Sequence, residues 1–291
     1  MSHFVFRSSA DAPKVHSNYR EVLAAWPVPK TELRLSTRQG ETFVIACGQE
    51  SAPPLVLLHG AQSNAAVWMF DVAVWSRFFR CYAVDTIGEA GFSAPVRPPL
   101  ESDAHALWLD DVMRGLGLVK TSLVGVSLGG WLALDYGKRY PQRVERIALV
   151  CPAGIGRQKN FLLNVAPLLL LGPWGARRIR EMVFGAPADD PPPAARPLIE
   201  LMRLIGHTIR PRLVKIPRLT AAELESLKMP MLAIVGGRDV LLDSAETRRR
   251  LAKHTPRTEV IFLPNARHAI FGQTHKILAF LLGRQISDGL A

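Results

Sequence analysis

The stretch that most constrains this chain is an apolar run, Thr121-Ser122-Leu123-Val124-Gly125-Val126, that meets Ser127 and continues as Leu128-Gly129-Gly130-Trp131-Leu132-Ala133-Leu134. A strand that reverses into a helix within so few residues crowds its own side chains. Glycines two positions to either side of the serine, Gly125 and Gly129, remove the Cβ atoms that would collide. The pattern predicts a buried strand over 121–126, a sharp turn with Ser127 at its apex and a helix over 127–138. Such a turn lifts the hydroxyl clear of the sheet. It also leaves the first helical N–H groups unpaired, so that the N–H of Leu128 can aim at a developing oxyanion. A bare G-x-S-x-G matches many glycine-rich turns, and a serine that merely caps a helix would read the same way. The strand–turn–helix setting gives it weight.

Taken in order, the chain alternates strands and helices around that turn. Residues 1–30 form a lead-in, polar and then briefly helical over Tyr19 to Trp26, halted by Pro27 and Pro29. Residues 31–37 and 42–46 read as a hairpin turned at Gln39-Gly40. The run Leu55-Val56-Leu57-Leu58 is apolar without alternation, as a strand buried on both faces must be, and it exits through His59-Gly60-Ala61. That exit permits a tight turn in which the N–H of Ala61 becomes a second oxyanion donor opposite Leu128. His59 itself reads as a buried structural histidine. Further buried strands are expected over 80–84, 146–151, 229–235 and 258–263, with helices over 104–116 and 273–283. Asp85, at the end of one strand, is expected to bond its own loop backbone. This alternation predicts an α/β fold with a mostly parallel, doubly wound sheet of about eight strands.

Between 152 and 228 the alternation stops. The segment is rich in Leu, Met, Phe and Arg and reads as helices over 161–171, 174–184 and 195–209, punctuated by Asp189-Asp190-Pro191-Pro192-Pro193. It is too long for a loop and follows a strand whose end lies on the side of Ser127, so it is expected to cap the site and supply an apolar pocket. The expected division is therefore a core of 31–151 and 229–291 with a helical insertion of 152–228.

The chain has 291 residues and a net charge of +11. Its basic residues are dispersed apart from Arg177-Arg178 and Arg248-Arg249-Arg250, and no nucleic-acid module is present, so nucleic acid is not expected as a partner. Cys47, Cys81 and Cys151 show neither a disulfide framework nor metal-ligand spacing and read as reduced thiols. With no apolar segment of secretory type following Met1 and no run approaching the ~20 residues of a bilayer span, a cytoplasmic location without a membrane span is expected. No metal or cofactor is implied.

A serine hydroxyl becomes a competent nucleophile when a neutral imidazole accepts its proton, and the imidazole needs a carboxylate to fix its tautomer. Asp239, after Gly236-Gly237-Arg238, and His268, after Pro264-Asn265-Ala266-Arg267, each stand just past a strand end. In a parallel sheet those ends share one edge with Ser127. Asp243 is a rival acid that reads better as the cap of the following helix; His254 and His275 lie in helices, as surface histidines do. Trp68 and Trp131 are candidate pocket walls, with core packing the alternative for both.

On His59-Gly60, Gly125-Val126-Ser127-Leu128-Gly129-Gly130, Gly237-Arg238-Asp239 and Asn265-Ala266-Arg267-His268, in the order Ser…Asp…His, the chain resembles the α/β-hydrolase superfamily over about 31–282. The likeness is to its capped, carboxylesterase-like members. The resemblance implies a catalytic triad of Ser127, Asp239 and His268, oxyanion donors Ala61 and Leu128, and hydrolysis of a short- to medium-chain carboxylic ester, a small-molecule substrate. Lactone, lipid-ester or C–C bond hydrolysis and acyl transfer are alternatives on the same fold. So are a non-catalytic ligand-binding member and an interfacial lipid binder using the basic, leucine-rich cap. The loop Asp85-Thr86-Ile87-Gly88-Glu89-Ala90-Gly91-Phe92-Ser93 is longer than the corresponding loop common in the superfamily, and Ala269-Ile270-Phe271 replaces the proline-containing run often found after the histidine.

Overall fold

Strand β3 (Pro54–Leu58) carries no charged side chain on either face, and its residues bury themselves in two directions. Leu55 and Leu57 enter one apolar cluster and Val56 and Leu58 another, so the sheet has a core on each side. The computed structural model describes residues 5–185, 191–212 and 214–285. Asp189 and Asp190 and the first four residues of the lead-in lie outside that description.

Eight strands form one sheet: β1 (Lys30–Thr37), β2 (Gly40–Cys47), β3, β4 (Arg80–Val84), β5 (Thr121–Val126), β6 (Val144–Val150), β7 (Met231–Gly236) and β8 (Glu259–Leu263). Their spatial order is β1-β2-β4-β3-β5-β6-β7-β8. The β1–β2 and β2–β4 pairs are antiparallel and all others parallel. The antiparallel register sets Cys47 opposite Cys81, and both thiols are buried and free. Residues far apart in sequence thus become neighbours.

One face is covered by α1 (Asp11–Ala24), α2 (Met69–Trp75), α7 (Arg196–Thr208) and α10 (Thr274–Leu281), through Tyr19, Trp75, Ile205 and Phe280 among others. The other is covered by α3 (Ala104–Gly115), α4 (Leu128–Arg139), α8 (Ala221–Glu225) and α9 (Ser244–His254), through Trp108, Leu132, Leu224 and Leu251. Helix α1 begins eight residues before the helix expected at Tyr19. Pro13 sits in its first turn, where no helical N–H is lost, and Val15, Tyr19, Val22 and Leu23 make one buried stripe at helical spacing.

Between β6 and β7 lie α5 (Phe161–Leu169), α6 (Gly172–Phe184), α7 and α8. The lead-in is clamped to this insertion. Phe6 bridges Ile209, Arg7 N donates to Thr208 O at 2.8 Å, and Arg210 N donates to Val5 O at 2.9 Å. Among the described residues no helix is long and apolar enough to cross a membrane.

Candidate active site

The turn at Ser127 is held by close packing of backbone. Ser127 has φ +52°, in the left-handed region that residues with a Cβ enter only when their surroundings hold them there. A Cβ on Gly125 would lie 2.4 Å from Gly129 O, and one on Gly129 would lie 2.0 Å from Leu58 O. Both glycines are therefore obligatory: one lets β5 fold under α4, the other lets α4 rest on β3. Ser127 N donates to Val150 O at 3.0 Å and Trp131 N to Ser127 O at 3.1 Å, which fixes the serine peptide from both sides.

Four strand ends converge here. His268 Nε2 lies 3.0 Å from Ser127 Oγ, and His268 Nδ1 lies 2.8 Å from Asp239 Oδ2. The other carboxylate oxygen, Asp239 Oδ1, accepts the N–H groups of Leu241 at 2.7 Å and Leu242 at 3.0 Å. Asp239 is 1% exposed. Burial alone would raise its pKa, but the His268 ring and these two N–H groups outweigh it and hold the carboxyl below the ordinary range. An ionised carboxylate beside Nδ1 favours the tautomer that carries its proton there, which leaves Nε2 to face the serine hydroxyl. Ser127, His268 and Asp239 thus form one series of hydrogen bonds from hydroxyl to buried anion.

The exit of β3 runs alongside this turn. A Cβ on Gly60 would stand 3.5 Å from Ser127 Cβ, so the exit of β3 that leads to Ala61 passes beside the serine that precedes Leu128, first residue of α4. Among the described residues neither the Ala61 nor the Leu128 N–H is engaged by an acceptor. His59 anchors the exit from beneath: Nε2 accepts Thr86 N at 3.0 Å and Nδ1 donates to Gly60 O at 2.8 Å. Burial lowers its pKa to about 4, so the ring is neutral and structural. Asp85 accepts Ala65 N and Phe92 N, both at 2.8 Å, and the Tyr19 hydroxyl at 3.0 Å, so it bonds the neighbouring loop as well as its own. Burial raises its pKa to about 6.

The rival residues are occupied elsewhere. Asp243 caps α9 by accepting Glu246 N at 2.9 Å, His254 meets Glu225 at 2.8 Å, and His275 is exposed on α10. Trp68 and Trp131, the candidate pocket walls, are 3% and 2% exposed and belong to clusters on opposite faces of the sheet. Both are packed into the core; Trp131 is pressed against Gly154 and stands edge-on to His105. The insertion lies across the strand ends. Ala269 N donates to Val183 O at 3.2 Å and Arg267 Nη1 to Glu181 O at 2.6 Å, seating α6 on the histidine loop. Met202 of α7 comes within 3.8 Å of Ser63 beside the β3 exit.

Two neighbours of the acid carry no sequence signal beyond their place after a strand end. Lys159 Nζ donates to the backbone oxygen of Asp239 at 2.5 Å. The Cys151 thiol lies with ligand atoms of Asp239 and His268 inside a 4.8 Å group, the only such group with metal-ligand atoms among the described residues. Burial and then the Asp239 charge push the Cys151 thiol pKa up, so the sulfur stays protonated. Both His268 nitrogens are engaged, one by the serine and one by the carboxylate. A protonated thiol and a committed imidazole suit a proton relay better than a metal.

A doubly wound sheet of this strand order, with serine, carboxylate and histidine placed after β5, β7 and β8, has the α/β-hydrolase fold. The alpha/beta hydrolase family matches residues 55–279, and this chain belongs to it. An uncharacterized carboxylesterase of Bacillus subtilis, nap, is 30% identical over 281 residues, covering 88% of this chain and 87% of that one. Carboxylesterase YbfK of the same organism is 29% identical over 283 residues, covering 93% and 94%. The crystal structure of naproxen esterase (carboxylesterase NP) from Bacillus subtilis superposes with a TM-score of 0.79 at 29% identity, covering 94% of this chain and 99% of that one.

Proposed function

We propose that the chain cleaves short- to medium-chain carboxylic esters through an acyl-enzyme on Ser127, with His268 as general base and Asp239 as the orienting acid. The chain is a carboxylic ester hydrolase of the α/β-hydrolase fold. The observation that carries the mechanism is the series Ser127 Oγ to His268 Nε2 at 3.0 Å and His268 Nδ1 to Asp239 at 2.8 Å. In this reading His268 takes the hydroxyl proton as Ser127 attacks the ester carbonyl. The oxyanion settles against the N–H groups of Ala61 and Leu128, and the imidazolium returns the proton to the leaving alkoxide. Water activated by the same histidine then releases the carboxylic acid. No cofactor enters any step.

Residues 152–228 are read as the cap of that site, supported by the seating of α6 on the histidine loop and of α7 beside Ser63. A cytoplasmic location is supported by Cys47 and Cys81, adjacent across two strands and free. The test is hydrolysis of p-nitrophenyl esters from acetate to palmitate by wild type and Ser127→Ala, with a fluorophosphonate probe. Turnover and labelling are expected in the wild type alone, with the optimum at short to medium chains. Turnover retained by Ser127→Ala would exclude the acyl-enzyme, and a folded wild type with neither turnover nor labelling would favour a binding protein.

One observation favours a second reading, action on lipid esters at a surface. Leu163, Leu170, Trp174 and Phe184 are each more than half exposed on or beside α5 and α6, next to Arg177 and Arg178. Salt-sensitive sedimentation with phosphatidylglycerol vesicles would support it, and failure to sediment would remove it.

A further inference from the structure

The long loop after β4 buries a carboxylate that the triad does not use. The Glu89 side chain is 1% exposed and divides its two oxygens between distant parts of the chain. Oε1 accepts Arg212 Nε at 3.0 Å, and Oε2 accepts the backbone N–H of Gln62 at 2.7 Å. Arg212, whose side chain is 7% exposed, lies where the insertion returns from α7 toward the core. Gln62 directly follows Ala61 and has φ +54°, a conformation that a residue with a Cβ keeps only when it is gripped.

We infer that Glu89 and Arg212 are positioning residues: the insertion, through Arg212, orients Glu89, and Glu89 holds the Gln62 peptide so that the preceding Ala61 N–H points at the oxyanion. This rests on the triad and oxyanion reading proposed above. The grip has a second and third point. Ala90 N donates to Ser63 O at 3.2 Å, and Asn64 Nδ2 donates to Ala90 O at 3.0 Å, so residues 89–90 hold 62–64 along their length.

The charge arrangement favours positioning over stabilisation. Arg97 and Arg212 both bring positive charge to Glu89, and Arg212 also faces His105, whose ring has no hydrogen-bond partner. One nitrogen on each arginine, Nη2, is buried without a partner as well. A pair left incompletely satisfied in this way gains little net stability over apolar side chains of the same size. What the carboxylate does provide is a charge-assisted bond to one backbone N–H beside the serine. It also makes the seating of the insertion a condition for a correctly aimed Ala61.

The test compares wild type, Glu89→Gln and the double variant Glu89→Leu/Arg212→Met, which removes both members of the Glu89–Arg212 pair. The measurements are kcat and KM for p-nitrophenyl butyrate, inhibition by a trifluoromethyl ketone, which mimics the tetrahedral oxyanion, and the pH–rate profile. The double variant is expected to lose about 100-fold in kcat, the scale of one oxyanion donor, with KM changed by no more than about threefold. Ketone affinity should fall in step with kcat. The acid limb of the profile should not move, because Ser127, His268 and Asp239 are untouched. Glu89→Gln, which keeps an acceptor for Gln62 N, should recover about tenfold of the loss.

A folded double variant with kcat within about threefold of wild type, or with the loss confined to KM, would overturn the inference. So would unchanged ketone affinity beside a reduced kcat. If the double variant does not fold, Glu89→Gln decides by the same criteria. Turnover surviving in Ser127→Ala sinks the parent reading, whereas an inactive Ser127→Ala beside fully active Glu89 variants sinks this inference alone.

Discussion

Gly129→Ala tests the packing that creates the serine turn. The added Cβ would stand 2.0 Å from Leu58 O, 2.5 Å from Leu58 C and 2.7 Å from His59 O, all backbone atoms that cannot rotate aside. Relief to an ordinary contact requires about 1 Å of movement of α4 away from β3, a displacement that costs on the order of 100-fold in rate when reacting groups are misplaced by it. The two elements carry the two proposed oxyanion donors, Leu128 on α4 and Ala61 on the exit of β3. Overpacking of this kind also destabilises by about 1–3 kcal/mol. At roughly 2–4 °C per kcal/mol for a chain of this size, the melting temperature should fall by about 2–12 °C. Gly206→Ala is the control: it lies in α7 with nothing within 4 Å of the added Cβ, and should hold the wild-type rate while gaining up to ~1 kcal/mol. The assay is kcat/KM on p-nitrophenyl butyrate beside a thermal melt. Gly129→Ala with both values at the wild-type level would refute the argument that steric contact with β3 fixes the turn.

Asp239→Asn should lower kcat by about 10⁴-fold with little change in KM, because an amide that accepts the Leu241 and Leu242 N–H groups turns its NH₂ toward His268 and selects the wrong tautomer; a loss below tenfold in steady-state assays would contradict this. His105→Phe should flatten the pH dependence of stability. Burial lowers the His105 pKa from 6.5 to about 4, so only the unfolded chain takes up its proton between those values, and wild type loses stability as pH falls through that window. Urea titrations should show a slope reduced by up to ~1.4 kcal/mol per pH unit in the variant, and an unchanged slope would refute the assignment. Asp110→Ala removes the partner of Arg114, Arg143 and the Tyr136 hydroxyl and should destabilise by about 3 kcal/mol. Asp111→Ala, one residue on, breaks only the exposed contacts to Arg38, its guanidinium and its backbone N–H, and should cost under ~1 kcal/mol, and equal costs in denaturant would disprove the distinction.

The parts of the site legible in the sequence are those that strain or periodicity forces on a chain. Gly125 and Gly129 announce a backbone approach that tolerates no side chain, and the distances of 2.4 and 2.0 Å are that requirement made visible. Asp239 and His268 were legible because an unalternating apolar run ends just before each, and parallel strand ends share an edge. What depended on packing between distant segments was not legible. Helix α1 extends back to Asp11 because Val15 and Tyr19 find a core that no local signal declares. In the sequence Trp68 and Trp131 read equally as pocket walls or core, and only the sheet face each one meets places them in the core. Glu89 lay in a loop whose extra length was visible, but its partners are Gln62 and Arg212, one on either side of it in sequence, and nothing near Glu89 names them. Cys151 reads as an ordinary thiol until β6 is seen to end beneath Asp239.

The contact between α1 and α7 bears on how the chain is made. Tyr19, Val22 and Leu23 share one cluster with Leu201 and Ile205, yet the ribosome completes α1 long before α7. At 5–20 residues per second the wait is roughly 10–40 s. During that interval Tyr19 can already meet Phe43 and Phe92 of the sheet and its loop, while the part of α1 that α7 covers stays open. The nascent protein therefore carries an early adhesive face whose late partner belongs to the insertion between β6 and β7. Crowded synthesis, before any loss of the finished fold, is where a weakened α7 would first be felt.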